Sequence, residues 1–274
     1  MRGFESGWYC PVSVIVIKVG GHALEATSDA VSLLDALASD IRDAQTSGTD
    51  VVLVHGGGPQ ISALLSATGV ESSFVNGLRV TDEPTLRAVV MGLSMVNATL
   101  CAALSARGLS VVGCSGASAG LISAVATEDE VGFVGSAITV EPSYLNELLA
   151  NGHLPVVAPF GMDTHGQLLN CNADAVAGAL AGALHADSLL LLSDIDQVRT
   201  NADDATTGVA SMTALEARNL LESGSAKEGM RPKLESCIAA LAHGAQRVVI
   251  ANGSRSHAVR DVLTKEALQT EVVA

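Results

Sequence analysis

"LVHGGGPQI", residues 53–61, places three consecutive glycines directly behind an apolar run and just ahead of a proline. A near twin, "IKVGGHAL", occupies residues 17–24. Glycine runs cost conformational entropy and supply no packing surface, so two of them behind apolar stretches suggest that something approaches the main chain closely there. The apolar stretches read as strands at 12–18 and 50–54, and Pro59 suits the first turn of a helix beginning near 59.

Working outward, β-branched runs alternate with helical patterns. Helices are expected at 28–46 and 81–108, the second capped by Thr81 or Asp82 and stopped by Gly108. Strands follow at 109–113, 120–127 and 132–140, the last two reading as an antiparallel excursion. The second half repeats the theme: helix 142–151, strand 154–158, a turn at "GMDTHGQ", helix 172–185, strand 188–193, helices 213–223 and 231–243, strand 246–251 and helix 254–263. Strands separated by helices predict an α/β fold, a three-layer αβα sandwich around a mostly parallel central sheet. In such sheets ligands bind beyond the carboxyl ends of the strands, which is where both glycine runs lie.

A chain of 274 residues can bury a large core. Its net charge of -14 argues against nucleic acid as a partner, so cations that serve an anionic ligand must be local. The five cysteines are scattered, with neither C-x-x-C nor metal-ligand spacing, which reads as a reduced, cytoplasmic protein without a dedicated metal site. No segment reads as membrane-spanning: the longest apolar stretch, 176–192, is broken by Gly, His and Asp. Residues 1–13 read as an extension, with neither the basic nor the apolar region of a signal peptide.

Two of the fifteen Lys and Arg residues stand out. Lys18 closes an apolar strand just before Gly20, and Lys233 sits at the opening of a helix, an unfavourable place for a cation unless an anion is also there. Two lysines and backbone N–H donors could clamp a phosphoryl group in flight, although Lys18 could equally snorkel from the sheet.

The ordered motifs "IKVGG", "VHGGGPQI", "NGLRVTD", "GHLPVVAPFG", "NCNADAVAGALA", "LLLSDI" and "GMRPK" extend the case. In order and spacing they resemble those of the amino acid kinase family, and within it the N-acetylglutamate kinases, over roughly residues 14–274. The resemblance implies an ATP-dependent kinase that phosphorylates the side-chain carboxylate of N-acetyl-L-glutamate, with Mg2+ carried by the nucleotide and no tightly bound cofactor. It matches Lys18 and Lys233 to the pair that stabilises the transferred phosphoryl group, and Asp174 to the aspartate that orients them. Gly20, Gly57 and Gly58 match backbone donors, while Arg79 and Asn170, with Asn172 nearby, match the grip on the substrate's α-carboxylate. Gly21, Asp194, Ile195, Val198, Lys227 and Gly229 match positions at the nucleotide. Residues 14–170 would be the lobe that takes the amino acid and 171–274 the lobe that takes ATP, on one continuous sheet.

Read as plain structure, Arg79 could pair with Asp82 and Asn170 could be a turn residue. Departures from the family pattern stand at 117–120 ("ASAG" in place of an Asp-Gly pair), Gln197 and Glu228. The last two put a side chain and a negative charge where nucleotide is expected. Other readings are a sister kinase for a carrier-linked aminoadipate or glutamate, and a binding or regulatory homologue. The expected partners are small molecules and a second copy of the chain. Met91, Leu93, Met95 and Leu100 suit either a homodimer contact or the core; arginine-inhibited members of the family carry an N-terminal helix, so the resemblance implies that this chain, with its short extension, is insensitive to arginine.

Overall fold

The computed structural model describes residues 13–21, 28–75, 77–127, 130–201, 203–226 and 230–274. The expected extension, apart from Ser13, and Lys227, Glu228 and Gly229 lie outside the described residues.

Strand β1 (Val14–Val19) is buried along its whole length, and its side chains divide between two cores. Val14 and Val16 pack into one, and Ile15, Ile17 and Val19 into the other. A strand with period-two side chains can be buried throughout only if both faces of its sheet are covered. One face carries α1 (Ser28–Thr46), α3 (Glu83–Ser105) and α8 (Ala258–Leu263), through Ile41, Leu104 and Val262 among others. The other carries α4 (Ser143–Ala150), α5 (Ala173–Ala183), α6 (Ala214–Glu222) and α7 (Arg231–Ala242), through Leu149, Leu180, Ala217 and Leu234. This is the expected αβα sandwich.

The remaining strands of the sheet are β2 (Asp50–His55), β5 (Val111–Ser115), β8 (Leu154–Ala158), β11 (Ser188–Ser193), β14 (Ser211–Thr213), β15 (Val248–Asn252) and β16 (Gln269–Val273). Their order is β14-β16-β15-β11-β1-β2-β8-β5. Six central and outer strands run parallel, while β16 runs antiparallel to β15 and carries β14 with it. From β1 the chain builds outward through β2 on one side and β11 on the other, so one sheet spans both halves. A crevice opens where the strand order reverses, at the carboxyl ends of β1, β2 and β11.

A smaller closed unit is made of β6 (Ile122–Ala126), β7 (Val134–Val140), β9 (Phe160–Met162) and β10 (Leu168–Cys171). The β6–β7 pair is antiparallel, as the sequence suggested. Three short pieces complete the chain: the β3 (Phe74–Val75) and β4 (Leu78–Arg79) pair, the β12 (Val198–Arg199) and β13 (Gly208–Val209) pair, and α2 (Gly58–Ala67).

Local chemistry sets the boundaries. Asp82 caps α3 by accepting from Thr85 N at 2.9 Å, and Gly108 ends the segment at φ 83°. Helix α3 is long and apolar enough to cross a membrane, but Leu86, Val89, Leu93, Val96, Leu100 and Leu104 are buried in the protein core. The last helix starts at Ala258, not at 254, because Asn252 Oδ1 accepts from Ser254 N and His257 is left-handed. Strands β14 and β16, absent from the sequence reading, close one end of the sheet, with β14 as the edge strand. The turn at 118–120 takes Ala119 through φ 52° and Gly120 through φ 69°. Among the described residues the four cysteines are free thiols, and burial pushes Cys114 up to about 12 and Cys171 up to about 11.

Candidate active site

Lys18 shares its face of β1 with Val14 and Val16, so strand geometry turns it toward α5 and α7. Asn172 caps α5 by accepting from Asp174 N and Ala175 N, which holds Asp174 in the first helical turn. Lys233 is the third residue of α7, whose N-terminus has no side-chain cap. The three meet: Lys18 Nζ lies 2.9 Å from Asp174 Oδ1, and Lys233 Nζ lies 3.1 Å from Oδ2. Burial alone would raise the Asp174 carboxyl, but the two lysines outweigh it and hold the group below its ordinary value. One carboxylate between two ammonium groups leaves a net positive charge beside two helix N-termini, an environment suited to an anion.

The glycines sort into two kinds. A Cβ on Gly21 would meet Pro59 Cδ at 3.0 Å and the Gly57 backbone at 3.1 Å, and one on Gly56 would meet Gly21 N at 3.0 Å. These two are bare because the loops after β1 and β2 pack main chain to main chain. Gln60 joins the loops further by donating to Gly21 O at 3.1 Å. Among the described residues, in contrast, a Cβ on Gly58 would meet nothing within 4 Å and one on Gly20 nothing closer than Leu192 O at 3.8 Å. The protein's own packing does not require a glycine at either place, yet both line the cleft. Helix α2 begins with Gly57 as an uncapped N-terminus, so its first amides are open to a ligand.

Arg79 ends the β3–β4 hairpin, 7 % exposed. It donates to Ser72 Oγ, to Ser62 Oγ at 3.0 Å and to Gly58 O at 3.3 Å, and its guanidinium lies 4.6 Å from the centre of the Phe74 ring. Burial lowers its pKa from the ordinary value. The alternative partner, Asp82, is spent on capping α3, and among the described residues no carboxylate forms an ion pair with Arg79. A buried guanidinium without a counter-ion strongly favours an anionic ligand. Asn170, on β10, donates to Thr81 Oγ1 at 3.1 Å and borders the same cleft.

The cleft, about 390 Å³, is lined by Arg79, Asn170 and Gly58 together with Lys18, Lys233, Asp194 and Ser254. A family model for amino acid kinases matches residues 13–252. The chain belongs to the amino acid kinase family. It is 42 % identical over 265 residues to an acetylglutamate kinase from Caulobacter sp. strain K31, covering 89 % of this chain and 85 % of that one. An N-acetylglutamate synthase from Neisseria gonorrhoeae, solved with coenzyme A and N-acetyl-glutamate, superposes with a TM-score of 0.79 at 25 % identity. It covers 96 % of this chain, which spans 59 % of that protein's length. A carbamate kinase from Giardia lamblia bound to AMP-PNP shares the fold, with a TM-score of 0.69 at 17 % identity over 95 % of this chain and 98 % of its own.

Of the residues matched from sequence, this amino acid kinase brings Lys18, Gly20, Gly21, Gly57, Gly58, Arg79, Asn170, Asp194 and Lys233 to the cleft, with Asp174 buried beneath it. Ile195 and Val198 are not among the cleft residues. Ile195 packs on the core, and Val198 is fully buried with its N–H donated to Thr270 Oγ1 at 2.8 Å. Gln197, where the pattern has glycine, donates to Gln269 O at 3.1 Å. Its amide is therefore committed to the terminal strand, and the β12–β13 pair is stitched to β16. Lys227 and Gly229 lie outside the described residues. Sequence reasoning missed Ser62 and Ser72, which hold the Arg79 fork, and His55 with Asn97 behind the glycine loop. A buried histidine directly before three glycines was the available clue.

Proposed function

We propose that the protein transfers the γ-phosphoryl group of ATP to the side-chain carboxylate of N-acetyl-L-glutamate, forming the acyl phosphate used in arginine biosynthesis. The observation that carries this reading is that Arg79, buried and without a carboxylate partner among the described residues, lines the same cleft as Lys18 and Lys233, the two lysines that flank Asp174. Arg79 would grip the α-carboxylate, with Asn170 beside it, since a planar fork suits a carboxylate. The side-chain carboxylate then points at the phosphoryl group and needs no base, because it is already an anionic nucleophile. Lys18 and Lys233 meet the charge on the equatorial oxygens, together with the amides of Gly20, Gly57 and Gly58. Asp174 organises the lysines and abstracts no proton.

The nucleotide would enter from the side of α7 and the loop after β11, where Asp194 borders the cleft. Among the described residues no cluster of three or more His, Cys, Asp or Glu could hold a metal ion. Mg2+ would arrive with the nucleotide and neutralise part of the charge of its phosphates.

A homodimer through α3 is part of the proposal. Met91 and Met95 are 61 % and 68 % exposed, beside an apolar groove of about 700 Å³ shared with α2 and lined by Pro59, Ala63 and Leu64. A two-fold axis across α3 would seat each pair of methionines in the partner's groove. Of the other two candidates, Leu93 is buried in the chain's own core, and Leu100, also buried, lines the floor of the groove.

The test of activity is trapping of the acyl phosphate with hydroxylamine, using MgATP and N-acetylglutamate beside aminoadipate and free glutamate. Hydroxamate with N-acetylglutamate alone is the expected result. Hydroxamate with another acceptor overturns the substrate, and none at all despite ATP binding points to a carrier-linked substrate or a non-catalytic homologue. Light scattering checks the dimer, and a monomer or a hexamer overturns it.

A further inference from the structure

His55 closes β2 immediately before the glycine loop and is fully buried. Its Nδ1 lies 2.8 Å from Gly56 O, and its Nε2 lies 3.1 Å from Asn97 Nδ2. The chemistry of the neighbours fixes the protons. Asn97 Nδ2 also faces Val156 O at 2.9 Å and Cys114 O at 3.4 Å, both acceptors, so that atom is the amide nitrogen. It can only donate to Nε2, which must therefore be unprotonated. The ring proton then sits on Nδ1 and is given to Gly56 O. Burial agrees, holding the imidazole at about 4, so the ring stays neutral at working pH. Asn97 is itself seated against bare backbone, since a Cβ on Gly113 would collide with its Oδ1. Three neighbouring strands thus share one amide group that fixes one imidazole.

The geometry points to His55 as a positioning residue for phosphoryl transfer, one that orients the Gly56–Gly57 peptide through its Nδ1–H. In a trans peptide the carbonyl and the following N–H point in opposite directions. Drawing Gly56 O back toward β2 turns the Gly57 N–H the other way, into the gap between the two loops. That is where Gly57 N lies: 3.1 Å from the place a Cβ on Gly21 would occupy. Gly57, at φ -175° and ψ 19° before an uncapped helix, has no side chain to hold this peptide, so the orientation is supplied from behind. A histidine that merely filled the core would serve equally well with either tautomer. Here the network admits one.

The inference rests on the kinase reading for its assay, and two substitutions separate position from packing. The amide nitrogen of His55→Asn stands where Nδ1 does and can still donate to Gly56 O, whereas that of His55→Gln stands where Nε2 does and leaves Gly56 O unpaired. A single oxyanion donor is worth roughly 10²–10³ in kcat, and loosening one is a fraction of that. His55→Asn is therefore expected to keep kcat within about threefold of the parent, and His55→Gln to lose about 10- to 100-fold. The KM values for both substrates should stay within about threefold, and the two variants should melt alike. Equal losses in both variants, or a loss carried by KM, overturns the proposal. If the parent enzyme forms no hydroxamate with any acceptor, the kinase reading fails by itself. The Gly57 amide in ¹⁵N NMR then decides the inference: a single sharp resonance in the parent and His55→Asn, and exchange broadening in His55→Gln, is the supporting pattern. Identical spectra in all three refute it.

Discussion

Replacing Asp174 by Asn keeps the shape of the side chain and removes the one negative charge between Lys18 and Lys233. The two ammonium groups, now 2.9 and 3.1 Å from a carboxylate, would face each other without a counter-ion. Breaking a buried ion pair by removing one partner costs roughly 3–5 kcal/mol. The lysine side chains are 11 % and 17 % exposed at the cleft, so water relieves part of the repulsion and the lower end, about 3 kcal/mol, applies. At roughly 2–4 °C per kcal/mol for a large domain, the melting temperature should fall by about 6–12 °C. Acid removes the difference. The Asp174 pKa is lowered on folding, so its contribution is complete above the unfolded value of about 3.9 and is lost as pH falls through the folded one. The gap between parent and variant should thus be constant from neutrality to about pH 4 and close below it. Catalysis and binding should part company: kcat falls about 10²- to 10³-fold because the lysines are misplaced. MgATP affinity holds or improves, since the site has gained positive charge. Calorimetric melting, titration of MgATP and the hydroxamate assay read all three. Near-parental turnover, or nucleotide affinity lost in step with kcat, would refute the organiser role.

Lys18→Ala should cut turnover about 10²-fold or more, with a smaller effect on the KM for either substrate, because the lysine meets charge that develops in flight. Arg79→Ala should raise the KM for N-acetylglutamate about 10²-fold and leave kcat and ATP affinity nearly unchanged; a loss confined to kcat would move Arg79 out of the acceptor site. Gly58→Ala and Gly21→Ala form an informative pair. The first adds a methyl that no atom of the described residues meets within 4 Å, so folding should be unaffected while activity falls. The second drives a methyl into Pro59 and the Gly57 backbone, so the melting temperature should drop together with activity. Thermal melts beside steady-state rates distinguish the two, and equal destabilisation would mean that both glycines serve packing alone.

Period and punctuation were enough to place most of the sandwich. β1 and β11 are apolar at nearly every position, which in a short run between helices requires a sheet covered on both faces. Asp82 and Gly108 mark the ends of the long helix in the sequence itself, as Pro59 marks the start of α2. Strands β14 and β16 escaped because three to five residues at a sheet edge carry too little pattern to distinguish them from loop. The β3–β4 hairpin is shorter still, two residues a side, and ends at Arg79.

For the site, the sequence alone marked which residues are out of place: a lysine closing an apolar strand, another opening a helix, glycines where packing surface was expected. These are local conflicts between residue type and position, and a sequence displays them directly. It could not say which glycines border the open cleft and which serve loop-to-loop packing, because that depends on a Cβ meeting an atom some forty residues away. Nor could it show that Gln197 is tied to the last strand, that Arg79 is buried with no carboxylate partner among the described residues, or that Asn97 faces the ring of His55. Those are facts of distance between segments far apart in the chain, and only the folded sheet, by converging its strand ends on one crevice, decides them.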